Sequence, residues 1–225
     1  MATNDQLELR QTMEHTLSKF LNSSIEVSAA QDARLISSTL DPSCLRYIRP
    51  ISLLRKLGAP VDFGFDVATF EKAMEGEMPV FRTKSVAISD VSIDTMAKTA
   101  AATTVYANRL IDGQEFDLQF SWHVSFTEDG AKVAKIVQWC DAIEFPIYQT
   151  AQNVLLEKLK SGKTVDGIEK LNGAETDEKL DSSGIRCSRC SRGWGLRRAI
   201  GASSICCFLT SSWWQILISS STLPS

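Results

Sequence analysis

From Glu115 to Phe126 polar and apolar residues alternate without a break. Phe116, Leu118, Phe120, Trp122, Val124 and Phe126 fall on one side, and Glu115, Asp117, Gln119, Ser121, His123 and Ser125 on the other. A period of two held this long is the period of a β-strand, whose successive side chains point to opposite faces. Asp112-Gly113 and Asp129-Gly130 flank the run. Asp-Gly between alternating segments is a hairpin signal, because its residues accept the positive φ that tight turns require. Residues 98–145 therefore read as three antiparallel strands joined by two tight turns.

Helical periodicity precedes this meander. Leu7, Leu9, Met13, Leu17, Phe20 and Leu21 form one stripe over residues 4–21. Ser28 to Leu40 reads as a second helix stopped by Asp41-Pro42. A short strand fits near Arg46 to Ile48, and GAPVDFG (58–64) reads as a loop. Val67 to Glu77 reads as a third helix. Val80 to Asp94 reads as a strand whose period slips once, which a β-bulge explains. Pro146 opens a last helix over Ile147 to Leu159. Helices first and a run of antiparallel strands after them mean α+β.

Three regions follow from composition. Residues 1–160 carry the periodic elements, 161–181 are a polar linker, and 182–225 are an atypical tail. The tail holds four of the six Cys, three of the five Trp and five Arg, with no Lys, Asp or Glu. It has three readings. Residues 199–218 carry no charge and follow Arg197-Arg198, as in a membrane anchor, although Ser, Thr and Gln dilute them. Cys187, Cys190, Cys206 and Cys207 could hold zinc, but only the first pair has ligand spacing. A disordered or non-native extension is the third reading, and the abrupt change of composition favours it. In residues 1–181, 19 basic side chains face 27 acidic ones, a formal charge of -8. An acidic body without a basic stripe argues against nucleic acid as a partner. Cys44 and Cys140 are the only cysteines in that body, and the N-terminal segment has no secretory layout. A cytoplasmic protein is expected.

Centring one hairpin on Asp112-Gly113 and the next on Glu128 to Gly130 sets a register. Asn108 then faces Asp117, Tyr106 faces Gln119 and Ala102 faces His123. On the other side Asp117 faces Asp141, Gln119 faces Trp139 and His123 faces Lys135. One face of the sheet then gathers Tyr106, Asn108, Asp117, His123, Trp139 and Asp141, aromatic groups with a few placed polar ones, as in a pocket wall. The other face, with Phe116, Leu118, Phe120 and Trp122, is almost wholly apolar and is expected to be covered by a second copy of the chain. Two facing carboxylates split their pKa values, giving an acid beside a base, and His123 adds a group that titrates near neutrality. Each of these residues also has a plainer reading. Asp117 and Asp141 could be solvated rim charges, His123 a surface residue, Asp62 a turn former, and Trp122 and Trp139 packing residues. His15, beside the apolar stripe of the first helix, is a further pocket candidate. No metal constellation, phosphate-binding glycine loop or Ser-His-Asp context is present.

The segments DQLELRQTMEHTLSKFL, GAPVDFG and DGQEFDLQFSWHVSFTEDGAKVAKIVQWCDAIEF, in this element order, resemble the small fungal isomerases that rearrange rings in meroterpenoid biosynthesis, of the austinol, paraherquonin and terretonin type. The resemblance covers residues 5–160. It implies an NTF2-like (SnoaL-like) cone, with a curved antiparallel sheet, about three N-terminal helices and a C-terminal helix. It also implies a homodimer and cofactor-free acid–base chemistry on a small-molecule terpenoid, in which a lactone or β-dicarbonyl skeleton is opened and reclosed by intramolecular acyl transfer. Under it Asp62 and His123 are the acid–base groups, and Asp117, Tyr106 and Asp141 hold substrate oxygens. A dehydratase or polyketide cyclase on the same cone is the alternative enzyme, and a non-catalytic binding or dimerisation module the alternative to an enzyme.

Overall fold

The computed structural model describes residues 4–56 and 59–163. The linker beyond residue 163 and the whole tail, with its anchor and zinc readings, lie outside the described residues. A six-stranded sheet in the order β2-β1-β6-β5-β4-β3 carries helices on one face. In chain order the elements are α1 (Asn4–Ala30), β1 (Leu40–Arg49), α2 (Ile51–Lys56), β2 (Gly64–Phe65), α3 (Val67–Glu77), β3 (Phe81–Asp94), β4 (Thr99–Leu110), β5 (Glu115–Phe126), β6 (Val133–Cys140) and α4 (Glu144–Lys160). The fold is α+β, as expected.

Four expectations need correction. The second helix, expected over Ser28 to Leu40, is not formed, and the first runs on to Ala30 as one helix of 27 residues, α1. Its chain breaks at Gln31, which adopts φ 53. Asp32 then caps a short 3₁₀ turn, Ala33–Ser37, by accepting from the Arg34 N–H. The short strand near Ile48 is a ten-residue strand. It runs parallel to β6, so the sheet is mixed rather than antiparallel. Pro42 is tolerated there because the ladder is interrupted between Leu40 and Leu45. The third helix is found as read. Asp66 caps it, accepting from Thr69 N–H at 2.7 Å. The slipped period of β3 corresponds to two register shifts, between Thr83 and Ser85 and between Ser89 and Ser92.

The third correction concerns the first hairpin, where β4 pairs with β5 one residue away from the expected register. Tyr106 faces Leu118, and Ala107 faces Asp117. The cause is the loop. Leu110 N–H donates to Gln114 O at 2.8 Å and Gly113 N–H to Leu110 O at 2.9 Å, so Ile111, Asp112 and Gly113 form a three-residue loop. Ile111 is buried and its N–H donates to Val80 O, which holds it out of the strand. A slip of one residue moves a strand's side chains to the opposite face. Tyr106 and Asn108 thus join Leu118, Phe120 and Trp122. Between β5 and β6 the slip is two residues, with Phe120 opposite Cys140 and His123 opposite Val137, and the faces are kept.

The fourth correction follows from the third. The apolar face is the inner face, and this chain's own helices cover it, so no second copy is needed there. Phe20 of α1 meets Trp122 edge to face at 5.3 Å. Tyr106 Oη donates to Leu21 O at 2.9 Å, and Thr83 N–H to Ser28 Oγ at 2.8 Å. At the far hairpin Thr16 Oγ1 donates to Gly130 O at 2.9 Å.

Gly130 sits at φ +71, and a Cβ there would stand 2.8 Å from Met13 Cγ and 3.0 Å from Leu9 Cδ1. Gly113 has φ +90 but open space around it. Gly113→Ala is therefore expected to cost about 1 kcal/mol, the left-handed penalty alone, and Gly130→Ala about 2–4 kcal/mol, with the clash added. Urea midpoints of the two variants check this, and equal losses would mean that α1 does not press on the turn.

Candidate active site

The helices do not fill the space over the inner face. A cavity of about 120 Å³ remains, walled by Phe20, Ser23 and Val27 of α1, Arg46 and Ile48 of β1, Phe70, Met74 and Glu77 of α3, Tyr106 and Asn108 of β4, Leu118, Phe120 and Trp122 of β5, Gln138 of β6, and Tyr148 and Gln152 of α4. Of the full lining only Ser24, Met74 and Phe145 are partly exposed, and they mark its approach to the surface.

Arg46 is the unexpected member. On β1 the inward positions are Cys44, Arg46 and Ile48, so strand alternation carries a guanidinium into the core. It is 5% exposed. Its carbon lies 3.6 Å from the centre of the Phe70 ring, 5.7 Å from Phe20 and 5.8 Å from Trp122, an aromatic cage for a cation. Nη1 reaches Gln138 Oε1 at 3.5 Å, while Nε and Nη2 have no partner among the described residues. Burial pulls the group down to about 10, which still leaves it charged at neutral pH. Burial likewise pushes the neighbouring Cys44 thiol up to about 11 and that of Cys140 up to about 12, so neither supplies a counter-charge.

Glu77 is the second. It follows Phe70 and Ala73 on the buried stripe of α3, at helical spacing, and so enters the wall. Burial alone pushes its carboxyl up to about 8, and the Arg46 guanidinium does not offset this. The Tyr148 hydroxyl is held well above its usual range, first by burial and then by Glu77. Around the two groups stand amides and hydroxyls. Thr83 Oγ1 donates to Asn108 Oδ1 at 2.8 Å, and Gln152 Nε2 is buried without a partner. A cation without a counterion and a carboxyl kept neutral at pH 7 in one apolar hollow can polarise a carbonyl and exchange a proton.

Of the residues expected to form the pocket wall, Tyr106 and Asn108 line this cavity, and the Tyr106 hydroxyl is committed to Leu21 O. His123 and Asp117 are exposed on the outer face. His123 borders a shallow groove there with Asp94, Thr99 and Lys135. Asp141 does not face Asp117. Its Oδ1 accepts from Glu144 N–H at 2.9 Å and Ile143 N–H at 2.7 Å, at the start of α4 and just before it, and these bonds hold the carboxyl below its usual range. Trp139 is 45% exposed on the outer face. His15 is exposed on α1, and Asp62 is exposed in the loop before β2. The polar gathering expected on one wall is thus dispersed, because the polar face of β5 is the outer one. Arg46, Glu77, Gln138 and Gln152 escaped the sequence reading. The available signals were an Arg alternating with Cys44 and Ile48, and a Glu seven residues beyond Phe70 on an apolar helix face.

Buried Glu77 ties stability to pH. Its ordinary value is 4.5, and its folded value is about 8. Between these the folded chain holds one proton more than the unfolded chain, so its contribution is complete below the lower value and is lost as pH rises through the upper one. The difference is on the order of several kcal/mol over the window. The melting temperature of the native protein is expected to fall from pH 5 to pH 8 at fixed ionic strength, and that of Glu77→Gln to fall much less. Parallel profiles would show that Glu77 is ionised in the fold.

No family model matches the chain, and no curated protein matches it. Among solved structures it is similar to the BvnE pinacolase from Penicillium brevicompactum, with a TM-score of 0.53 and 11% identity over 69% of this chain and 97% of that one. It is also similar to AusH from Aspergillus nidulans, with a TM-score of 0.48 and 18% identity over 59% and 85% of the two chains. PrhC from Penicillium brasilianum NBRC 6234 gives 0.49 and 16% over 71% and 97%. The α+β cone expected from the resemblance, a curved sheet with three helices before the meander and one after it, is the fold that this chain has, with a mixed sheet in place of the antiparallel one.

Proposed function

We propose that the chain is a cofactor-independent isomerase that works in the inner cavity, where Arg46 polarises a substrate oxygen and Glu77 moves a proton. The observation that carries this reading is the coexistence of an unpaired guanidinium edge and a neutral carboxyl in one water-poor hollow. Both are arranged before any substrate arrives, so neither needs to shed solvent during the reaction. Rearrangement of a ring needs no protein nucleophile, since the substrate carries both reacting partners and the walls hold its conformation. The substrate class follows from the resemblance: a lactone or β-dicarbonyl meroterpenoid, rearranged by intramolecular acyl transfer. A cavity of about 120 Å³ takes the reacting ring rather than a whole terpenoid skeleton. The remainder of such a molecule would extend past Met74 and Phe145.

A panel of lactone and β-dicarbonyl terpenoids, incubated with the purified protein and followed by mass spectrometry and NMR, tests the reading. The expected product has the mass of the substrate and a new skeleton. Glu77→Gln is expected to lower kcat roughly 100-fold or more with a small change in KM, as for loss of a general acid. A product lighter by one water would make the chain a dehydratase, and binding without turnover would make it a non-catalytic module. His123→Ala is expected to retain turnover, and its loss would move the chemistry to the outer groove.

A further inference from the structure

We propose that the cavity selects a ligand bearing a carboxylate, seated on the free edge of Arg46 with its apolar ring among Phe20, Phe70 and Trp122. This deepens the reading of the cavity as the working site and rests on it.

The geometry of the guanidinium carries the inference. Its N–H groups form two edges with parallel donors. Nη1, on the far edge, is spent on Gln138 Oε1. Nε and Nη2 make up the side edge, and neither has a partner among the described residues. Two parallel N–H groups are the fork that matches the two oxygens of a planar carboxylate, each bond charge-assisted. A lone ketone or hydroxyl would satisfy one of the pair and leave the other buried and unmet, at a cost that a second oxygen removes.

Charge balance points the same way. None of the ion pairs among the described residues involves Arg46. The rings that cage it supply the negative faces of their π-clouds but no net charge. The titratable groups that line the cavity beside it are Glu77, Tyr106 and Tyr148, and all three are pushed toward their neutral forms by burial. The hollow therefore holds one uncompensated positive charge. Buried cations of this kind are stable when an anion completes them. The volume and the aromatic walls suit a ring of benzoate size.

Benzoate and its neutral isostere benzamide are the probes, titrated at pH 7 into the full-length protein by calorimetry and thermal shift. The expected result is that benzoate binds about tenfold or more tightly than benzamide and raises the melting temperature. Arg46→Met, which keeps the volume and removes the buried charge, is expected to fold with a melting temperature no lower than the native one. It should bind both probes equally weakly, whereas Arg46→Lys, with a single-point donor, should fall between. Equal binding of the two probes by the native protein overturns the inference, and so does tight benzoate binding by Arg46→Met. Turnover of neutral lactones without benzoate binding would remove this inference and leave the isomerase reading standing. Arg46-dependent benzoate binding without turnover would do the reverse.

Discussion

The structure depends on covering the inner face of one strand. Six apolar side chains of β5 project to the same side, and the neighbouring strands continue that surface with Ala100, Ala102, Tyr106, Val133 and Ile136. Each large aromatic withdrawn from water there is worth about 1.5–3 kcal/mol, so the face cannot be left wet. α1 lies across it and is held by Phe20 against Trp122, Leu21 O under the Tyr106 hydroxyl, Ser28 on Thr83 N–H, and Thr16 on Gly130. α3 and α4 close the remaining sides. Contact between the helices and the sheet is incomplete in the middle. The cavity is that remainder.

This arrangement explains which parts of the fold were legible along the chain. α3 was readable to its ends because its signals are local: Asp66 caps the start and Met78-Pro79 follows the finish. β5 was readable because twelve residues repeat one rule. β4 was readable as a strand, but its facing was not. Which side Tyr106 takes turns on whether Asp112-Gly113 closes a loop of two residues or three, and that is decided by Ile111 burying itself against the segment before β3. No feature within the hairpin records it. β1 was read at a third of its length because it holds a proline and takes its main partner, β6, from some ninety residues away. A parallel, nonlocal pairing leaves little local trace.

The candidate site shows the same division. Tyr106 was found because an aromatic amid alternation is conspicuous. His123 and Asp117 were placed in a pocket because a polar face with aromatic company resembles one, whereas the helices needed the other face more. Arg46 and Glu77 carry no such mark in the sequence, because a charged residue on an amphipathic element is ordinarily solvated. Only the knowledge that β1 is covered from within turns Arg46 into a buried cation, and only the packing of α3 turns Glu77 into a neutral acid.

The ionisation states of these two groups are set by depth rather than by each other. Were they in contact, the guanidinium would draw the carboxyl down and hold it ionised, and the pair would cancel. Burial acts on both separately, lowering Arg46 to about 10 and raising Glu77 to about 8. Below about pH 8 the cavity keeps a cation and an undissociated acid together. That combination stabilises a developing negative charge and can deliver a proton without the acid first neutralising the cation. The chemistry proposed for the hollow thus requires that Arg46 on β1 and Glu77 at the end of α3 form no ion pair, and among the described residues they form none.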